Sequence, residues 1–147
     1  GDCNGLCQLA HAATAQATTL VDSLINNSFV DYEDKIVPAA VFTVPEVAMA
    51  GLTEEQAEEH GLNFTVKKIP VRANGKALAL DEPEGMVKAI ISDDFHLIGF
   101  HILGPHASDL IMEVALAMNA QLPVSAILSA IHPHPTLSEL IPALLDS

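Results

Sequence analysis

Met86-Val87-Lys88-Ala89-Ile90-Ile91-Ser92, Asp93-Asp94, then His96-Leu97-Ile98-Gly99-Phe100-His101-Ile102-Leu103 form the stretch on which the fold turns. Val87, Ile90 and Ile91 in the first run and Ile98, Phe100 and Ile102 in the second are strand formers, and a polar Asp-Asp turn separates the runs, so two adjacent antiparallel strands are predicted. Toward the N-terminus, Asn63 to Arg72 alternates and is rich in β-formers, which predicts a further strand. Ala39 to Ala50 is an apolar run with Val41, Phe42, Val44, Val47 and Met49, interrupted by Pro45, which demotes it to an edge strand or a bulge. Between these strands Thr53 and Gln56 stand at capping-box spacing and Gly61 closes a short helix, with Glu54, Glu55, Glu58 and Glu59 as a solvated face. Ala73-Asn74-Gly75-Lys76 reads as a turn, Ala77 to Leu80 as a helical turn, and Asp81 to Gly85 as another turn.

Toward the C-terminus the pattern changes period. Gly104-Pro105 stops the strand, and Ser108 is placed to cap a helix running to about Asn119, with Leu110, Ile111, Val114, Ala115 and Met118 on one face. The methionines there suit core filling better than cofactor contact. Pro123 to Ala130 predicts a second helix with proline in its first turn, and a last helix is kinked or restarted at Pro142. Strands grouped first and helices last give an α+β class, an antiparallel sheet with helices packed on one side.

The first residues are organised separately. Gly1-Asp2-Cys3-Asn4-Gly5 is a turn, and Leu6, Leu9, Ala13, Ala17, Leu20 and Leu24 predict an amphipathic helix from about Gln8 to Ile25. Asn26-Asn27-Ser28 ends it, and the acidic Asp31-Tyr32-Glu33-Asp34 reads as a solvated linker. A domain boundary is expected between Asn27 and Lys35, giving segments 1–30 and 31–147.

Composition bounds the function. The 147 residues are enough for one domain with a real core. Half of them (50%) are hydrophobic, and mean hydropathy is +0.34, yet no apolar run reaches the roughly 18 residues needed to span a bilayer. The excess suits a protein interface. A net charge of −13 argues against nucleic acid and against anionic membrane surfaces, both of which attract positive potential. No signal-like or basic amphipathic targeting segment is seen, and two cysteines do not make a disulfide framework, so a reducing, cytoplasmic setting is the expectation. The chain opens Gly-Asp rather than with Met and reads as part of something longer.

One motif carries chemistry. In Ile131-His132-Pro133-His134-Pro135-Thr136-Leu137-Ser138-Glu139 the prolines make the backbone extended and stiff, and T-x-x-E is capping-box spacing. His134 and Glu139 would diverge if both were helical. With the helix starting between them, the Glu139 side chain leans back toward His134. A carboxylate against an imidazole selects its tautomer and stabilises its protonated form, as a general acid/base needs. Spacing alone fits two other readings: Glu139 only closes the capping box, with His132 and His134 as core or surface histidines, or the H-x-H pair binds a metal. The metal reading lacks a cysteine or carboxylate cluster at ligand spacing, and no metal is expected.

Several segments together are recognisable: Phe42-Thr43-Val44-Pro45-Glu46-Val47-Ala48, Gly51-Leu52-Thr53-Glu54, Ala73-Asn74-Gly75-Lys76-Ala77, Gly104-Pro105-His106-Ala107-Ser108 and the H-P-H-P-T-L-S-E motif. In this order they resemble the interface domain of the flavin-dependent disulfide oxidoreductases. The H-x-H-P-T-x-S-E form looks most like the dihydrolipoamide dehydrogenases, with glutathione and mercuric reductases more distant. Gly1-Asp2 followed by Gln8-Leu9-Ala10-His11 is similar to the end of that family's FAD-binding domain. The resemblance implies that Asp2 contacts the flavin's ribityl chain and that the helix start at residues 8–11 approaches the cofactor. It implies that His134 takes a proton from a lipoamide-type dithiol and returns it, oriented by Glu139, across a homodimer interface. It implies FAD and NAD as cofactors, and a dithiol carried in some cases on an acyl-carrying complex. His132 is assigned no role.

Departures from the family pattern limit what this chain does alone. It contains no G-x-G-x-x-G fingerprint, so neither flavin nor nicotinamide phosphates have their glycine-rich loop. Cys3 and Cys7 do not have the spacing of the family's redox pair and read as ordinary small residues. The chain alone is expected to be inactive, either the C-terminal part of a flavoenzyme or a structural dimerisation module with an unused dyad.

Overall fold

The computed structural model describes residues 1–28 and 35–147, which divide into two compact units, Gly1–Val37 and Pro38–Ser147. The expected acidic linker, 31–34, and the expected boundary after residue 30 fall outside the described residues.

In the first unit a 3-10 turn, Asp2–Asn4, ends at Gly5, and helix α1 runs from Ala10 to Asn26. It starts two residues later than the spacing predicts, because Leu9 is extended and takes the cap position. Asn27 closes the helix in the left-handed conformation, a role asparagine tolerates because its short polar side chain bonds locally. The predicted apolar stripe is exposed at Leu6, Leu20 and Leu24, and Ala12, outside that stripe, is the buried residue of the helix.

The second unit is built on β1 (Ala39–Val41), β2 (Glu46–Gly51), β3 (Phe64–Pro70), β4 (Met86–Ser92) and β5 (Leu97–Gly104). Among the described residues they form one antiparallel sheet in the order β1-β2-β5-β4-β3. The β4–β5 hairpin supplies its centre, with Val87 opposite Ile102 and Ala89 opposite Phe100. On β2, Ala48 and Ala50 face the same two β5 residues, so six in-register side chains form a buried apolar face. The sheet is therefore organised as its alternating hydrophobic pattern requires.

Among the described residues seven further elements complete the unit: α2 (Glu54–Glu59), a 3-10 turn at Val71–Ala73, α3 (Gly75–Ala79), α4 (Ala107–Asn119), α5 (Val124–Ser129), a 3-10 turn at Leu137–Glu139, and α6 (Leu140–Leu145). Helix α4 packs along β2 and β5, and α6 along β4 and β3. Their buried residues, Ile111, Val114, Ala115 and Met118 with Ile141, Leu144 and Leu145, complete the core around Phe100. Leu110 of the predicted α4 face is only half-buried. The α+β expectation of an antiparallel sheet with packed helices holds.

Local expectations differ in instructive places. Pro45 lies in the turn between β1 and β2, outside the ladder, since it has no N–H to donate. Ser108 is not the cap of α4. His106 takes that position, and the Ser108 N–H donates to Oε2 of Glu46 on β2 at 2.9 Å. That bond is the main reason the Glu46 carboxyl sits below its usual range. Pro123 stands just before α5, and α6 begins at Leu140, directly after the 3-10 turn, rather than at Pro142. As the third residue of that helix, Pro142 lacks an N–H that would have had no intrahelical partner. Glu54 does more than face solvent, since its Oε1 accepts from Lys88 at 2.9 Å and Lys68 at 3.0 Å.

Candidate active-site segment

His134 and Glu139 are brought together, and local chain direction explains how. Thr136 is extended, the 3-10 turn begins at Leu137, and buried Leu137 and Leu140 anchor the turn and the start of α6 in the core. The Glu139 carboxylate then points back over the turn. Its Oε2 accepts the Thr136 N–H at 2.8 Å and its Oε1 stands 2.9 Å from Nδ1 of His134. The two bonds, Thr136 first, lower the Glu139 carboxyl below its ordinary value, so it is ionised at neutral pH and only accepts. The proton of the His134 ring is thereby fixed on Nδ1, leaving the Nε2 lone pair outward. The His134 side chain is 80% exposed, and Nε2 has no hydrogen-bond partner among the described residues. Chemically this is an oriented base, able to take a proton at Nε2 while the carboxylate steadies the resulting charge.

Around the dyad lies a depression of about 420 Å³, with Asn74, Lys76, His132, His134, Glu139 and Pro142 among its walls. Thr136 is held twice more. Its hydroxyl donates to the Pro133 carbonyl at 2.7 Å, and its own carbonyl accepts from Nδ2 of the buried Asn74 at 3.0 Å. Asn74 also caps α3, accepting the Ala77 N–H at 3.0 Å. His132, given no role from sequence, is nearly buried, with Nε2 2.7 Å from Oε1 of Glu113 on α4. Sequence reading missed Asn74 and Glu113. The signal for Glu113 was a mid-helix carboxylate set between the apolar Met112 and Val114, and for Asn74 a cap residue before Gly75-Lys76-Ala77.

In the first unit, Asp2 is exposed in the 3-10 turn, Gln8 is exposed, and Leu9, Ala10 and His11 form the start of α1. Leu9 has no side-chain acceptor, and no side-chain cap bond is made at this helix start. Cys3 is exposed and Cys7 half-buried, both free thiols. Among the described residues no group of three or more His, Cys, Asp or Glu is arranged to hold a metal ion. No described helix is long and apolar enough to cross a membrane.

Comparison with known proteins gives the same architecture a family. The pyridine nucleotide-disulphide oxidoreductase dimerisation domain matches residues 37–144. The chain is similar to dihydrolipoyl dehydrogenase 2, chloroplastic, of Arabidopsis thaliana, at 42% identity over 100% of this chain and 27% of that protein. It is also similar to dihydrolipoyl dehydrogenase of Chlamydia muridarum, at 41% identity over 95% of this chain and 30% of that one. Among solved structures, the HOCl-induced flavoprotein disulfide reductase RclA from Escherichia coli superposes with a TM-score of 0.91. Identity there is 30%, covering 99% of this chain and 34% of RclA. The chain thus spans only about 27–30% of the length of these curated relatives. With that sheet order, helix arrangement and match, the chain belongs to the pyridine nucleotide-disulphide oxidoreductases, and residues 37–144 are a dimerisation domain of the dihydrolipoyl dehydrogenase-like kind.

Proposed function

We propose that this chain is the C-terminal part of an FAD- and NAD-dependent dihydrolipoyl dehydrogenase-like enzyme, and that His134 and Glu139 are its acid/base pair. The observation carrying this reading is the 2.9 Å contact between Nδ1 of an exposed imidazole and a carboxylate already pinned by a backbone N–H. His134 accepts a proton at Nε2 from a dihydrolipoyl-type thiol, and the thiolate so formed can attack a disulfide sulfur. Glu139 stabilises the imidazolium until the proton is returned.

The pair acts across a homodimer interface, serving the site of the partner subunit. Met112 and Leu116 on the outer face of α4 and Ile131 beside the motif are exposed apolar residues suited to that interface. Segment 1–30 is read as the end of the FAD-binding domain and 31–147 as the interface domain. Asp2, a carboxylate in the exposed 3-10 turn, and the α1 start at Gln8, Leu9, Ala10 and His11 are read as the flavin-side residues of that segment. When bound, FAD supplies electron transfer between the dithiol and NAD.

The test is to express the longer polypeptide carrying this chain and assay bound yellow flavin and NADH formation from dihydrolipoamide. A flavin-loaded, active protein whose His134→Gln variant loses turnover supports the reading. Neither flavin nor NADH formation overturns it and leaves a structural dimerisation module.

A further inference from the structure

The H-P-H-P segment is fastened on both sides of His134 by groups that never touch the dyad. Upstream, the His132 side chain is 10% exposed and spans two acceptors. Its Nε2 is 2.7 Å from Oε1 of Glu113, in the middle of α4, and its Nδ1 is 3.2 Å from the Ala130 carbonyl. Downstream, Asn74 holds the Thr136 carbonyl at 3.0 Å from the cap of α3. Between these two tethers Pro133, His134 and Pro135 are exposed. An exposed imidazole cannot be held by packing, so its aim is set by where its backbone is pinned.

The His132 bridge has a definite proton requirement. A carbonyl oxygen only accepts, so Nδ1 carries hydrogen, and a second bond at Nε2 to a carboxyl group then needs one further proton, on the ring or on Glu113. A shared proton between a nearly buried imidazole and a half-exposed carboxyl makes a short, directional tether, and losing Glu113 leaves Nε2 of His132 without its partner. The helix end of this tether is stiff. Glu113 lies between Ile111 and Val114, both buried on the sheet.

We propose that Glu113, acting through His132, is a positioning residue for His134, fixing the segment so that Nδ1 meets Glu139. Its catalytic consequence rests on the acid/base reading above. Its structural content does not.

The deciding measurement is nitrogen NMR of the histidine rings in the 147-residue chain, with the His134 signals identified by their loss in His134→Gln. In the wild type His134 shows one tautomer, protonated on Nδ1. In Glu113→Ala the signals move toward the average of two tautomers, whereas Glu113→Gln, whose amide can still donate to Nε2 of His132, keeps the wild-type pattern. His132→Gln removes the bridge from its other end. It reproduces the alanine effect and serves if Glu113→Ala does not fold. A folded Glu113→Ala or His132→Gln chain with His134 signals unchanged overturns the proposal. In the flavoenzyme, Glu113→Ala lowers kcat about tenfold with KM for the dithiol little changed, as misaimed rather than missing chemistry does. If His134→Gln leaves turnover intact while the ring signals respond to Glu113, the acid/base reading fails and the positioning stands. The reverse outcome separates them the other way.

Discussion

Asn74 and Thr136 lie far apart in sequence, yet Nδ2 of Asn74 donates to the Thr136 carbonyl at 3.0 Å while its Oδ1 holds the Ala77 N–H. One buried side chain thereby joins the start of α3 to the turn in front of the dyad. Removing it orphans a carbonyl and an amide together. Asn74→Ala is expected to lower stability by about 1–3 kcal/mol, the cost of leaving buried polar groups unpaired. Urea denaturation of the two chains checks this, and equal midpoints would show the bond to be incidental.

Glu139 gives a signed pH dependence. Its carboxyl lies below the reference value of 4.5 in the folded chain, first through the Thr136 N–H and then through His134. A depressed carboxyl contributes stability that is fully present above the unfolded value and is lost as pH falls through the folded one. The stability gap between wild type and Glu139→Gln should therefore be widest near neutrality and close in acid below the 4.5 reference. Chemical denaturation across that range measures it, and a gap independent of pH would refute the linkage.

Met112, Leu116 and Ile131 are 53%, 65% and 98% exposed, more apolar surface than a lone subunit usually leaves in water. Light scattering on the 15.5 kDa chain should return twice that mass, and Leu116→Lys should return the monomer. A wild-type chain that stays monomeric at high concentration removes this face from the interface.

Gly85 sits at φ 121°, and a Cβ there would stand 1.9 Å from the Leu103 carbonyl oxygen. Its own carbonyl accepts the Val71 N–H at 3.1 Å, so the loop is tied to the end of β3 and cannot easily retreat. Gly85→Ala should destabilise by about 1–3 kcal/mol or more, read as a lowered Tm. An unchanged Tm would show that the loop yields.

Much of this was legible because it is local. The alternation in Asn63–Arg72, the Asp93-Asp94 turn between two strand-forming runs, the Thr53–Gln56 capping box and the T-x-x-E spacing before α6 each depend on neighbours a few residues away. His134 and Glu139 belong to that class, for the helix start between them sets their meeting. Ser108 went the other way. A better cap, the Glu46 carboxylate, arrived from a strand 62 positions earlier, and no local pattern announces such a partner.

The sequence by itself determined the hairpin and the succession of strands and helices, and it put one carboxylate within reach of one imidazole, because period and capping chemistry are written residue by residue. Only the tertiary structure decided that His132 reaches Glu113 and that Asn74 reaches Thr136. Those contacts exist because sheet order β1-β2-β5-β4-β3 and the helices laid along it bring distant segments to one place, and that placement is a property of packing, not of any stretch of the chain.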